Sequence, residues 1–208
     1  MTQTTVKPHL MAEVAVAEAP HPFPVWGGMT TIKFAIWLFL ASEVMFFAGL
    51  IGAYIVLRAG TPTWPIVADV LNVPLVALNT FILIVSSVTM VQAYAGIQAG
   101  DQQKLKNMLV TTTVLGIVFI AIQGIEWSAL LGEGTTPSES IFGASFYVLT
   151  GFHGLHVTGG VVALIVTSIK AFRGRYSQTS HDGVELMGLY WHFVDVVWII
   201  LFTIVYLI

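Results

Sequence analysis

Five long segments of this 208-residue chain are almost free of charged side chains. A helix needs about 20 apolar residues to cross the ~30 Å hydrocarbon core of a bilayer, and every segment exceeds that length. Only 9% of all residues are charged and 56% are hydrophobic, which excludes a soluble domain. The sequence therefore predicts an all-α integral membrane bundle of five transmembrane helices. The predicted spans lie at about 32–57, 74–97, 105–131, 141–169 and 186–208.

The distribution of lysine and arginine predicts the orientation of the bundle. Arg58 is the one basic residue on one predicted side of the membrane, and the others fall on the opposite side. Because cytoplasmic loops are enriched in Lys and Arg, the N-terminus is predicted to be cytoplasmic and the C-terminus to face outward. Residues 1–30 lack the pattern of a secretory signal and are predicted to form a mobile cytoplasmic tail. Residues 31–208 form the predicted transmembrane domain.

Glu43 lies in the middle of the first predicted span. The nearest basic residues in that span are Lys33 and Arg58 at its two ends, and Glu43 is roughly 15 Å along the helix from Lys33. An isolated carboxylate at this depth would cost several kcal/mol, so Glu43 is expected to be protonated or paired inside the bundle. It is either a proton-related group or a neutral structural carboxyl. Gly49 and Ala53 are four residues apart and would let another helix approach closely.

Histidines in the fourth span raise the question of a metal or haem. His153 and His156 are three residues apart and share a helix face, and Gly159 and Gly160 thin the same helix. A metal site needs three or four converging ligands, and the chain has no cysteine. We therefore predict no metal or haem in this chain, and histidines that hydrogen-bond to neighbouring helices.

Three further polar or aromatic features lie at membrane depth. Glu126, late in the third span, is either an interfacial carboxylate beside a tryptophan or a polar contact inside the bundle. His192 and Asp195 are three residues apart in the fifth span and are predicted to act as one hydrogen-bonded unit. Trp191 and Trp198 are seven residues apart, which fits either a helix docked on a partner or a stripe facing core or lipid.

Four stretches of the chain resemble subunit III of the haem–copper oxidases. They are ASEVMFFAG at 41–49, VPLVALNT at 73–80, FGASFYVLTGFHGLHV at 142–157 and YWHFVDVVW at 190–198. The resemblance extends over nearly all of 32–208. In that family a membrane-buried glutamate matches Glu43, the HGLH motif matches His153 and His156, and the WHFVD motif matches 191–195.

The resemblance implies an accessory, non-catalytic subunit of cytochrome c oxidase, a proton-pumping terminal oxidase of aerobic electron transport. Haem and copper would be held by subunit I, and this chain would pack beside subunits I and II in the inner (plasma) membrane. It would bind phospholipid and support assembly and proton uptake. Many family members have seven spans and hold lipid in a cleft between the first two helices and the other five. This chain has five predicted spans, which leaves that cleft in question.

Three alternatives remain open from the sequence. Subunit III of a quinol oxidase shares the same motifs. A small proton-conducting membrane protein could use Glu43 and Asp195, although the inverted repeats common in transporters are not evident. A stand-alone haem-binding anchor would show a Soret band.

Overall fold

The computed structural model describes residues 29–208, apart from the side chains of residues 68 and 69. Each of its five long helices is long and apolar enough to cross a membrane, and the described residues form no β-strand. The prediction of an all-α membrane protein with five spans is confirmed. The helices are α1, Thr31–Gly60; α2, Val73–Gln98; α3, Gln102–Gly132; α4, Ile141–Phe172; and α5, Asp182–Phe202, which a π-helical turn, Thr203–Leu207, continues. Orientation across the membrane stays a prediction, and so does the N-terminal tail, most of which lies outside the described residues.

Local sequence signals determine where the helices begin and end. Asp101 and Ser140 cap α3 and α4, accepting hydrogen bonds from the backbone N–H of Lys104 and Gly143 at 2.9 Å each. Glycines with positive φ follow the ends of α2, α3 and α4, where a residue with a Cβ would be strained. They are Gly100 (φ 79°), Gly134 (φ 88°) and Gly174 (φ 67°). The resulting short connections reverse the chain, so consecutive helices run antiparallel.

The described residues divide into two units, with 29–39 in the first and 40–208 in the second. The described part of the first unit contains the beginning of α1, where Ile32, Trp37 and Leu38 are exposed. In the second unit α2 packs against α3, α3 against α4, α4 against α5, and α5 against α2. These four helices therefore form a ring around a shared core. Residues 40–60 of α1 bury Leu40, Phe47 and Tyr54, a single stripe with a spacing of seven residues.

Trp191 of α5 fills the centre of this ring and is fully buried. Its Nε1 donates to Ser86 Oγ at 3.0 Å. Gly116 of α3 and Gly160 of α4 face its ring, and a Cβ on either glycine would lie 2.8 or 2.9 Å from a carbon of the indole. Two helices thus approach the tryptophan only because neither has a side chain at these positions.

The other residues predicted to pack helices differ in burial, because one is enclosed in the bundle and three lie at its surface. Trp198 is fully buried and donates to Thr80 Oγ1 at 2.9 Å. Both Trp191 and Trp198 are enclosed by helices of this chain, which corresponds to the helix-packing role among the two predicted for them. Gly49, Ala53 and Gly159 are exposed. No helix of the described chain uses Gly49, since a Cβ there would have nothing within 4 Å. Contact with another subunit at these three positions stays a prediction.

Candidate functional site: polar side chains buried between the helices

Glu43 of α1 and His156 of α4 form a hydrogen-bonded pair at mid-helix depth. Glu43 Oε2 lies 3.0 Å from His156 Nε2, and the two side chains are 17% and 18% exposed. The other ring nitrogen, Nδ1, is 2.7 Å from the backbone oxygen of Phe152, one turn earlier in α4. Tyr190 of α5 donates to the His156 carbonyl at 3.0 Å. The pair therefore joins α1 to the ring of four helices.

The Phe152 carbonyl determines how protons are arranged in this pair. A carbonyl oxygen only accepts hydrogen bonds, so His156 Nδ1 must carry a proton. If the ring is neutral, Nε2 is then an acceptor and Glu43 must be the protonated acid that donates to it. If the ring is an imidazolium, Glu43 is a carboxylate. In both cases one proton lies between Oε2 and Nε2, which gives the pair no net charge in hydrocarbon.

His153 lies one turn from His156 but in different surroundings. It is 1% exposed, its ring stacks on Trp198 at 4.8 Å between centroids, and the rings of Phe47 and Phe119 meet it edge-on. Neither of its nitrogens has a hydrogen-bond partner in the described part of the protein. The prediction that both histidines hydrogen-bond to neighbouring helices is thus correct for His156. It is wrong for His153, because aromatic rings surround that side chain.

His192 and Asp195 of α5 meet a serine that the sequence analysis overlooked. His192 Nδ1 lies 2.6 Å from Ser87 Oγ of α2, and Ser87 is also placed to hydrogen-bond to Asp195. Asp195 is 6% exposed, and its Oδ1 has no partner among the described residues. The two predicted residues share one neighbourhood, but Ser87 stands where a direct His192–Asp195 hydrogen bond was expected. Their energetic coupling stays a prediction.

Glu126 of α3 lies inside the bundle, so the interfacial reading of this residue is wrong. It is 4% exposed, and its Oε2 accepts from Gln123 Nε2 at 2.9 Å and from Tyr206 Oη at 3.1 Å. Its Oε1 and Gln123 Oε1 have no partner among the described residues. The carboxyl turns inward because Tyr206, in the π-helical turn after α5, offers a hydrogen-bond donor from another helix.

Sequence reasoning missed the partners more often than the conspicuous residues. Ser86, Ser87 and Thr80 hydrogen-bond to Trp191, His192 and Trp198 respectively. The available signal was a pair of serines, Ser86 and Ser87, inside an otherwise apolar span, with Thr80 six residues before Ser86 on the same helix. Gln123 and Tyr206 gave weaker signals. Gln123 lies one turn before Glu126, and Tyr206 is 80 residues away in the sequence.

Metal ligation receives no support from this arrangement. Among residues 29–208, no three His, Asp or Glu side chains are grouped in a way that could hold a metal ion. The buried polar groups instead occur as three small clusters, around Glu43, Asp195 and Glu126. The prediction that this chain binds no metal or haem remains a prediction.

The fold and these clusters define a class: a five-span helical membrane protein whose buried polar side chains bind one another. A sequence model of the family "Cytochrome c oxidase subunit III" matches residues 9–208. The chain is 44% identical over 176 residues to cytochrome c oxidase subunit 3 of Synechocystis sp., covering 84% of this chain and 74% of that protein. It is 38% identical over 179 residues to the probable cytochrome c oxidase subunit 3 of Nocardia farcinica, covering 86% and 87%. The probable subunit 3 of Mycobacterium leprae is 38% identical over 181 residues, covering 86% and 88%.

The chain therefore belongs to the cytochrome c oxidase subunit III family. The resemblance found in the four sequence stretches is confirmed, and the protein is a multi-pass membrane protein of a terminal oxidase family.

Proposed function

We propose that this chain is the accessory, non-catalytic subunit III of a proton-pumping respiratory oxidase that receives electrons from cytochrome c. The family match over residues 9–208 carries the proposal, since the relatives named above are cytochrome c oxidase subunits. In the proposed complex, subunit I holds the haem and copper centres and packs against this chain, with subunit II nearby. The complex lies in the inner (plasma) membrane of a bacterium.

The Glu43–His156 pair supports a role in proton uptake. It holds one proton at mid-depth, and both side chains are partly exposed at the surface of this chain. A neutral pair can lose or gain a proton only by leaving an uncompensated charge in a low-dielectric region, which is costly. The proton shared by the pair lies at a partly exposed position, where water or a partner subunit would meet it in the proposed complex.

Purification of the native complex through a tag on its haem-bearing subunit tests this proposal. Mild detergent would then remove the present chain, and both fractions would be analysed for iron and copper. We expect all haem and copper absorption to stay with the remaining complex, and oxygen uptake to require reduced cytochrome c rather than a quinol. Stoichiometric iron or copper in the separated chain would overturn the non-catalytic role. Oxygen uptake with quinol alone would overturn the choice of electron donor.

A substitution at His153 separates a structural role from haem ligation. His153→Phe preserves a flat ring that can stack on Trp198, so the complex should assemble with an unchanged haem spectrum. If His153 were a ligand, phenylalanine would abolish the corresponding absorption band. The matched control is His153→Leu, which removes the stacking and should reduce the amount of assembled complex without shifting the spectrum.

A further inference from the structure

The imidazole of His192 reaches the surface of the bundle between α2 and α5. The side chain is partly exposed, and its Nδ1 lies 2.6 Å from Ser87 Oγ of α2. The other ring nitrogen, Nε2, has no hydrogen-bond partner among the described residues, and it is not one of their enclosed unpartnered atoms. Nε2 is therefore accessible to a group from outside this chain.

His192 lies well inside the hydrocarbon core of the membrane. It follows Asp182 by ten residues and precedes Leu207 by fifteen, so it is about 15 Å from one end of this 26-residue span and about 22 Å from the other. If a ~30 Å core is centred on the span, the nearer boundary is roughly 10 Å away. The ester oxygens of a phospholipid lie at that boundary, and the acyl chains beside the imidazole carry no hydrogen-bond acceptor.

The hydrogen bonds of Ser87 place a proton on His192 Nε2, because Ser87 lies between Nδ1 and Asp195. If Asp195 is a neutral acid, it donates to Ser87 and Ser87 donates to Nδ1, so the ring proton is on Nε2. If Asp195 is a carboxylate, Ser87 donates to it and accepts from Nδ1 of an imidazolium, which also has a proton on Nε2. Both arrangements leave the three side chains without net charge, and in both Nε2–H is a donor.

The remaining arrangements are unfavourable. A neutral acid beside a ring that is protonated on Nδ1 would direct two donors at the Ser87 oxygen and leave the serine proton without an acceptor among the described residues. A carboxylate beside a neutral ring would leave an uncompensated charge at membrane depth. His192 therefore presents an N–H donor outward at a depth where an unpaired donor is costly.

Exposed aliphatic side chains surround His192 on both helices. Val196 follows it by four residues and is 54% exposed, and on α2 Ile84 and Val91 flank Ser87 and are 39% and 53% exposed. Residues three or four positions apart share a helix face, and the Ser87–His192 hydrogen bond brings the two faces side by side. These five residues form the His192 face, an apolar surface that presents the Nε2–H donor.

We propose that the His192 face packs against a transmembrane helix of a neighbouring oxidase subunit, and that a side-chain oxygen of that helix accepts a hydrogen bond from His192 Nε2. The inference rests on the proposed function, which supplies the other subunits. The acceptor is an amide, hydroxyl or carboxyl oxygen, since the backbone carbonyls of a regular helix are already paired within it. The face is separate from the Glu43–His156 pair, because Tyr190, about 200° around α5 from His192, donates to the His156 carbonyl.

Hydrogen-bond complementarity distinguishes this occupant from the others. Helices associate inside a membrane through close packing and interhelical hydrogen bonds, because hydrocarbon on both sides removes the hydrophobic driving force. A lipid acyl chain offers packing but no acceptor. A second copy of this chain, packed across a two-fold axis at His192, would bring two identical N–H donors together. A helix of a different subunit can supply both the packing surface and the acceptor.

Crosslinking in the intact complex tests the proposal. The complex would be purified through a tag on its haem-bearing subunit, with the photoreactive residue benzoylphenylalanine in place of Val196, and the crosslinked peptide would be sequenced by mass spectrometry. Val114 of α3 is the matched control position, because it is 51% exposed, lies near the middle of its own helix and does not belong to the His192 face. If the variant at Val196 does not assemble, Val91 carries the probe and is judged by the same criterion.

We expect the probe at Val196 to label one transmembrane peptide of another subunit, and this peptide to contain an oxygen-bearing side chain within about one turn of the crosslink. The probe at Val114 should not label that peptide. Labelling of lipid alone, or of a second copy of this chain, would overturn the proposal. So would a labelled peptide that has no such side chain.

Two substitutions separate the roles of the two ring nitrogens of His192. The amide nitrogen of asparagine reaches about as far as Nδ1 and that of glutamine about as far as Nε2, so His192→Asn keeps only the contact with Ser87, whereas His192→Gln keeps the outward donor. Retention of the neighbouring subunit in detergent should weaken about three- to twenty-fold in His192→Asn, the effect of one hydrogen bond lost within a membrane. His192→Gln should retain it nearly as well as the unmodified complex. Equal retention in the two variants would contradict the proposed hydrogen bond.

Failure of this inference and failure of the proposed function give different results. The metal analysis and the electron-donor assay decide the proposed function and do not involve the His192 face. A labelled helix in a complex that oxidises quinol would overturn only the proposed function. Labelling of lipid alone in a complex that oxidises cytochrome c would overturn only the inference about the His192 face.

Discussion

A single methyl group added at Gly116 should destabilise the bundle. Its Cβ would lie 2.8 Å from Trp191 Cη2 and 2.9 Å from a methyl carbon of Val161. The indole cannot retreat, because a hydrogen bond to Ser86 holds one side and Gly160 of α4 lies against another. Overpacking of this kind typically costs about 1–3 kcal/mol, whereas replacing a mid-helix glycine by alanine gains about 0.5–1 kcal/mol. Gly116→Ala should therefore lower the free energy of unfolding by roughly 1–2 kcal/mol.

Gly124→Ala on the same helix is the matched control for this prediction. A Cβ there meets nothing within 4 Å, so only the helix-propensity gain of about 0.5–1 kcal/mol should remain. Detergent-induced unfolding of the purified protein, followed by circular dichroism, would compare the two variants. Trp191→Phe makes room for the methyl group, so its combination with Gly116→Ala should cost less than the two single changes added together. If Gly116→Ala is as stable as Gly124→Ala, the indole has space that the structure does not show.

The remaining predictions concern the polar clusters. Glu43→Gln keeps a hydrogen-bond donor for His156 Nε2 and should leave the complex nearly as stable. Glu43→Leu leaves that nitrogen without a partner and should lower the stability of the complex towards detergent by about 1–2 kcal/mol. The infrared band of a protonated carboxyl should disappear in Glu43→Gln; a carboxylate band lost instead would show the ionic form of the pair. Ser87→Ala should cost up to about 1.7 kcal/mol by removing the partner of His192, with subunit retention as the measurement. Asp195→Asn should have only a mild effect on subunit retention. The double mutant His192→Leu, Asp195→Leu should lose less stability than the two single mutants added together. An exact sum would mean that the two side chains act separately.

Span number and helix type could be predicted because they depend on length and apolar composition alone. The apolar segment at 32–57, for example, could only become a transmembrane helix such as α1. The conspicuous buried charges, Glu43 and Asp195, could be found for the same reason, since a carboxyl inside such a segment needs a partner. The partners themselves could not be predicted, because they depend on how helices rotate and pair.

Helix rotation accounts for the particular failures. Glu126 could lie at the surface or in the core at the same depth, and only the rotation of α3 towards Tyr206 decides between them. His153 and His156 are three residues apart, yet one lies among aromatic rings and the other at a carboxyl. Gly116 had no distinctive sequence context, and its importance arises from an indole that approaches from α5.

The distance between Glu43 and His156 along the chain has a consequence for synthesis. The two residues are separated by 113 positions. At about 5–20 residues per second, the ribosome adds Glu43 to the chain roughly 6–20 s before it adds His156. During that interval the carboxyl has no imidazole to accept from it, so it must wait in the bilayer as the neutral acid or remain near a hydrated boundary. The Glu43–His156 hydrogen bond can form only after α4 has been inserted beside α1.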